Sequence, residues 1–249
     1  MKFEITYIFH NCFTLSSDDL VFLFDYPTDS YLNPAVREMV LSKIRGKKTY
    51  ILTSHSHADH FNRFLQTIIP VTADVQLVLS SDAFVSVEDT LRQFEPYCAE
   101  PETDFTIGGI EMAAIRSNDE GVAYLIEIGD THVYFGGDLA RWEWEKLTPE
   151  ESALYLEYFE QVLKKLEKWR VDIAFSDADN RVRNWSGAAD VVKKLAPKMF
   201  IPMHAFGKTS LVSEFISTLP SSEGVFSYKN PGDSIIVEFS DQVQPPSTD

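Results

Sequence analysis

The chain has 249 residues, 44% of them hydrophobic and 24% charged, an ordinary composition for a globular protein with a substantial core. Its 38 acidic residues against 22 basic ones give a formal charge of −16, which repels phosphate backbones and argues against nucleic-acid binding. No apolar run approaches the roughly 20 residues that span a bilayer, Glu4 interrupts what would be a signal peptide's apolar segment, and Cys12 and Cys98 lack metal or redox spacing, so the expectation is a cytoplasmic protein with no membrane partner.

Phe3–Phe13 and Leu20–Tyr26 read as apolar strands flanking a Ser-Ser-Asp-Asp turn. His10, within the first of them, is either a donor bordering a pocket or a satisfied structural histidine. Asn33-Pro34 opens a helix through Ile44, and Gly46 stops it. Tyr50–Leu52 is a buried strand that runs into Thr53-Ser54-His55-Ser56-His57-Ala58-Asp59-His60. The chain has six histidines, and three of them fall in this stretch. Alternate residues of extended backbone point the same way, so His55 and His57 can share one metal. The next turn can carry Asp59 and His60 toward a second metal about 3.5–4 Å away. Phe61–Ile69 follows as a short helix.

Farther along, Val133–Phe135 leads into Gly136-Gly137-Asp138 and then Arg141-Trp142-Glu143-Trp144. Trp142 is a candidate stacking wall for a substrate, set against the commoner fate of packing under a loop. Thr148-Pro149-Glu150-Glu151 is a capping-box start to the longest helix, running to about Trp169, with Leu154, Tyr158, Val162, Leu166 and Trp169 at core-facing spacing. The strand Val171–Phe175 is followed by Asp177 and Asp179, which could hold a substrate hydroxyl, back up a ligand histidine, or cap the turn before Ser186. Arg181 and Arg183 are either a clamp for phosphate or carboxylate or part of a solvated loop. Helices start at Ser186-Gly187 and Lys208-Thr209, and strands lie at Met199–Ile201 and Ile235–Phe239. The alternation suits an α/β, four-layer αββα sandwich in a single domain over residues 1–241, with Gln242–Asp249 as a flexible tail.

The His-x-His-x-Asp-His run, Asp138 after an apolar strand, Pro202-Met203-His204 after Met199–Ile201, and Gly232-Asp233-Ser234 before the last strand resemble the metallo-β-lactamase superfamily over nearly the whole chain. Phe24-Asp25-Tyr26-Pro27 resembles the Asp-Pro that closes the first hairpin in relatives. His10-Asn11-Cys12-Phe13 is similar to the His-x-x-Phe of the branch that includes sugar-phosphate lactonases. The resemblance implies the metallo-β-lactamase fold and one or two divalent ions, zinc first, with manganese or iron as alternatives. His55, His57, Asp59, His60, Asp138 and His204 would hold them. Asp138 would bridge the ions, and Asp59 would orient the hydroxide and take its proton.

One departure stands out. The histidine that such proteins carry some twenty residues before the bridging aspartate is missing from Ile115–Gly121. Asp119 or Asn118 could offer oxygen instead, and oxygen-rich sites suit manganese or iron. The function expected is a hydrolase that uses a metal-bound hydroxide on a small anionic ester, lactone or phosphoester, with His10, Asp177, Arg181 and Trp142 as substrate-binding candidates. The alternatives are a metal-binding or sensor protein with an impaired first site, and a nuclease, which the acidity disfavours. The family's tendency to associate adds a homo-oligomer as an expectation.

Overall fold

A computed structural model gives the structure of residues 1–239; the tail expected at Gln242–Asp249 lies outside the described residues. The strands in chain order are β1 (Lys2–Phe9), β2 (Cys12–Ser16), β3 (Leu20–Phe24), β4 (Lys48–Thr53), β5 (Asp74–Ser80), β6 (Tyr97–Ala99), β7 (Thr103–Ile107), β8 (Ile110–Arg116), β9 (Val122–Ile128), β10 (Thr131–Phe135), β11 (Ile173–Asp177), β12 (Met199–Met203) and β13 (Ser234–Glu238). They form a seven-stranded sheet, β13-β1-β2-β3-β4-β5-β6, and a six-stranded sheet, β12-β11-β10-β9-β8-β7. The helices are α1 (Pro34–Ile44), α2 (Ser81–Val85), α3 (Asp89–Arg92), α4 (Pro149–Leu166), α5 (Ala188–Leu195) and α6 (Ser210–Thr218).

The layering follows from the strands being apolar on both faces. Inward residues of the two sheets meet in one core, where Phe24 stacks on Phe135 at 4.5 Å and Phe13 meets Phe175 edge-on at 5.5 Å. Outward residues Leu23, Ile51 and Leu79 pack with Val40 and Ile44 of α1 and Leu91 of α3. On the other side, Leu125, Tyr134 and Ala174 pack under α4, α5 and α6 through Phe159, Val191 and Phe215. The result is the expected four-layer sandwich. No helix among the described residues is long and apolar enough to cross a membrane.

Topology places the chemistry. In the first sheet β3, β4, β5 and β6 run parallel, and in the second β10, β11 and β12 do. Their carboxyl ends gather at one edge of the sandwich, the position where open parallel sheets present ligands. Asp25 follows β3, the histidine run follows β4, Asp138 follows β10, Asp177 ends β11 and His204 follows β12.

Three expectations differ in detail. Phe3–Phe13 is not one strand: it breaks at His10-Asn11, where His10 adopts φ 52° in a tight turn between β1 and β2. The turn is made by two polar residues that are nonetheless buried, so it lies inside the sandwich edge and not at the surface. Phe61–Ile69 forms no α-helix, only 3₁₀ turns at Leu65–Thr67 and Ile69–Val71. Asn62 explains this, because its side chain accepts from the Phe64 N–H and donates to the Pro27 carbonyl, offering the backbone an alternative to helix. Finally, the buried face of α4 is Phe159, Val162, Leu163 and Leu166, while Leu154 is 66% and Trp169 43% exposed.

Candidate metal centre

Three histidines are buried at the sandwich edge with their rings pinned. His55 Nδ1 lies 3.0 Å from Ser54 Oγ, His60 Nδ1 2.8 Å from Asp25, and His204 Nδ1 2.9 Å from Asp179. Anchoring of one ring nitrogen fixes the tautomer and aims the other, the usual arrangement around a metal ligand. The Nε2 atoms all face Asp138, at 3.8 Å for His55, 3.5 Å for His60 and 3.4 Å for His204, and His55 Nε2 also lies 2.9 Å from His57 Nδ1. Asp138 reaches the first and third with Oδ2 and the second with Oδ1.

Three sets of ligand atoms lie within 4.8 Å of one another: His55, His57 and Asp138; Asp138, Asp177 and His204; and His10, His60 and His204. Asp138 thus joins a lobe on the His55–His57 side to a lobe on the His204 side. Asp59 lines a cavity of about 200 Å³ together with His57, Asp119, Asp138 and His204, and its Oδ2 is 3.5 Å from His10 Nε2.

The remaining candidates divide. Asp119 lines the cavity but belongs to none of the three ligand sets. Burial of its carboxyl and the Asp138 charge raise its pKa. Asn118 is turned toward Ala140, its amide donating to the carbonyl at 2.7 Å and accepting from the N–H at 3.2 Å. Glu120 lies 3.4 Å from His57 Nε2, on the other side of the ring from the Nδ1 that meets His55 Nε2 at 2.9 Å, and like Asp119 it belongs to none of the three sets.

Asp177 and His10 are sealed beneath the centre and do not border the cavity. Asp177 accepts from Asn11, while Asp179, two residues on, supports His204. Arg181 and Trp142 do line the cavity. Trp142 is both packed and part of the wall: it is buried, donates to the Asp138 carbonyl at 3.0 Å and stacks on Trp144 at 5.3 Å. Arg183 is solvated and pairs only loosely with Glu145.

Several supporting residues gain their contacts only in the fold. Asn11 ties three strand ends together, donating to Asp138 and Asp177 at 3.2 Å each and accepting from the His204 N–H at 2.8 Å. Asp25 accepts from the Ser54 N–H and hydroxyl, each at 2.7 Å, as well as holding His60. Gly121 is needed for close approach: it sits at φ +66°, and a Cβ there would overlap the Ser54 carbonyl and lie 2.7 Å from His55 Cβ. Gly121→Ala is expected to displace His55, lowering metal content per chain by mass spectrometry and costing about 1–3 kcal/mol in denaturant unfolding.

Charge in the metal-free cluster is arranged around Asp138. Burial raises its pKa, but His60 and His204 outweigh that and hold it well below the usual carboxylate range. Burial alone would depress His60, yet Asp138 and Asp25 push it up to about 9. His204 also rises, against burial, through Asp177 and Asp138. Burial, reinforced by neighbouring histidines, drives His55 and His10 well down. The neighbouring carboxylates thus favour the protonated forms of His60 and His204, and metal binding competes with those protons. Zinc binding at pH 7 is expected to release protons, seen as calorimetric heats that change with the buffer's ionisation enthalpy; buffer-independent heats would contradict this. A raised histidine pKa stabilises the fold below 6.5 and loses that contribution as pH climbs through about 9. The metal-free protein should accordingly lose melting temperature over that window.

The family model described as the beta-lactamase superfamily domain matches residues 4–153. Among solved structures, the chain is similar to Igni18, described as a novel metallo hydrolase from the hyperthermophilic archaeon Ignicoccus hospitalis, with TM-score 0.66 and 19% identity over 96% of this chain and 100% of that one. It is similar to a possible metal-dependent hydrolase from Veillonella parvula, with TM-score 0.63 and 16% identity over 94% and 99% of the two chains. It also resembles CmlA, a diiron beta-hydroxylase from Streptomyces venezuelae, with TM-score 0.56 and 14% identity over 95% of this chain and 54% of that one. No curated protein matches the sequence. At these identities the structural likeness is one of fold.

Proposed function

Because the chain belongs to the beta-lactamase superfamily, we propose that it is a metal-dependent hydrolase of a small anionic ester, lactone or phosphoester. The strongest support is the set of three buried histidines with tethered Nδ1 atoms and Nε2 atoms converging on one carboxylate. Imidazole nitrogen with carboxylate oxygen suits zinc, and the carboxylates beside His57 also accommodate manganese or iron. His55, His57 and Asp138 would hold one ion, and His60, His204 and Asp138 a second, with Asp59 beside them.

Divalent ions held there supply a water-derived nucleophile at neutral pH and offset charge on the attacked oxygen. The protein's own part is positional. Asp138 presents Oδ2 toward His55 and His204 and Oδ1 toward His60, and Asn11 holds that carboxylate in place. Asp59, on the cavity wall, is placed to take a proton from an attacking water. Trp142 closes one side of the cavity and limits bulk water. The lactone within this substrate range rests on the likeness of His10-Asn11-Cys12-Phe13 to the lactonase branch.

A second reading, metal binding without hydrolysis, is favoured by His57, whose side chain is 48% exposed. One experiment separates the two readings. Metal content is measured on purified protein, which is then screened with lactones, aryl esters, thioesters and phosphodiesters. Turnover that a chelator abolishes and added metal restores supports the hydrolase. Bound metal with no turnover of any probe supports the second reading, and protein that takes up no metal overturns both.

A further inference from the structure

Beside the ligand cluster stands a flat, cation-bearing wall that the hydrolytic step does not use. We propose that Arg181, Trp144 and Lys146 form a subsite for an anionic group, carboxylate or phosphate, carried by the substrate a short spacer away from its scissile bond. This rests on the hydrolase reading and narrows it to bifunctional molecules with one hydrolysable and one anionic end.

The wall is rigid and keyed to the centre at both ends. Asp179 Oδ2 accepts from Arg181 Nε at 2.7 Å and pairs with Nη2 at 2.6 Å, and the same aspartate holds His204. The guanidinium lies over the rings of Phe206 at 4.5 Å and Trp144 at 5.3 Å, a stacking that fixes its plane. Trp144 in turn stacks on Trp142 at an interplanar angle of 9°, and Trp142 is bonded to the Asp138 backbone. Arg181 Nη1 has no protein acceptor among the described residues, and the side chain is 49% exposed.

Two cavities share this wall. The one lined by the metal-ligand residues also includes Trp144 and Arg181, and a second, of about 420 Å³, is lined by Trp144, Glu145, Lys146 and Arg181. A molecule seated at the centre extends past the shared pair into the second space. Charge selects what it carries there. The first cavity contains Asp59, Asp119 and Asp138, which repel an unliganded anion. In the second, the cations Arg181 and Lys146 outnumber Glu145, which itself pairs loosely with the solvated Arg183, and Lys146 has no ion pair among the described residues. His204 presents Nε2 to Asp138 and Nδ1 to Asp179, beside Arg181. The anion is thus bound across an imidazole ring from the reacting group and is not itself the group attacked.

The test is tryptophan fluorescence quenching of the metal-loaded full chain by 4-nitrobenzoate and by its neutral counterpart 4-nitrobenzamide. The carboxylate is expected to bind about tenfold more tightly, and Arg181→Gln to erase that preference. Lys146→Ala should reduce it in part. Should Arg181→Gln fail to fold, Arg181→Lys, which keeps the charge but loses the fork, should cut the preference severalfold. Chelator-treated protein should retain it, because the anion sits on arginine. Equal binding of the two probes, a preference that survives Arg181→Gln, or one that vanishes on chelation overturns the subsite. Hydrolysis enters none of these outcomes. A failed preference with intact Asp138-dependent turnover removes the subsite alone, and a sound preference without turnover on any ester removes the hydrolase reading.

Discussion

Asp138→Ala is expected to abolish chelator-sensitive hydrolysis, lowering turnover by about 10²–10⁴-fold, the equivalent of several kcal/mol of lost charge stabilisation. The size of the effect follows from position. This one carboxylate faces His55, His60 and His204 together, and it belongs to two of the three ligand sets. Removing it leaves three imidazoles pointing at a gap, and both lobes lose their shared anionic donor. Metal content should fall with activity. Asp138→Asn, which keeps an oxygen but not the charge, should retain part of the metal and little turnover. Steady-state rates with metal analysis on both variants check this; wild-type rates in the alanine variant would remove Asp138 from the reaction.

The second large effect is expected one layer behind the ligands. Asp25 is fully buried, with its carboxylate shared among His60 and two donors of Ser54, whose hydroxyl also reaches His55. Its pKa is raised by burial, partly offset by His60 and Ser54. Asp25→Ala strands those donors without an acceptor and leaves a raised-pKa histidine without its partner. A stability loss of about 3–5 kcal/mol is expected, with metal affinity falling about 10–100-fold as His60 loses its orientation. Asp25→Asn preserves shape and tolerates the positive φ of 42° at this position, so it separates the two effects: most of the fold should survive while metal affinity still drops. Denaturant unfolding and competitive metal titration read them out. Unchanged affinity in the asparagine variant would show that Asp25 is only a packing residue.

The chemistry was legible in the sequence where it was locally dense. His55, His57, Asp59 and His60 sit in six residues, and Asp138 and His204 each follow a plain apolar strand, so their convergence followed from strand order and family likeness. The layer behind them is legible only in part. Support of a ligand histidine is among the readings the sequence offers for Asp179, whereas Asn11, Asp25 and Glu120 gain their contacts only when strand ends distant in the chain arrive at one edge. The loop without a histidine suggests Asn118 or Asp119, yet Asn118 is bonded to Ala140 and neither Asp119 nor Glu120 joins a ligand set. The α4 face was misjudged because Tyr158 and Phe159 both fit helical spacing, and only the sheet beneath selects Phe159.

Anomalous scattering from crystals grown with zinc or manganese tests the central claim most directly. Density is expected against both oxygens of the Asp138 carboxylate, with His55 and His57 around one ion and His60 and His204 around the other, at ordinary ligand distances of about 2.0–2.2 Å. An active protein whose metal lies away from Asp138, or that shows no metal density at this edge, would contradict the account.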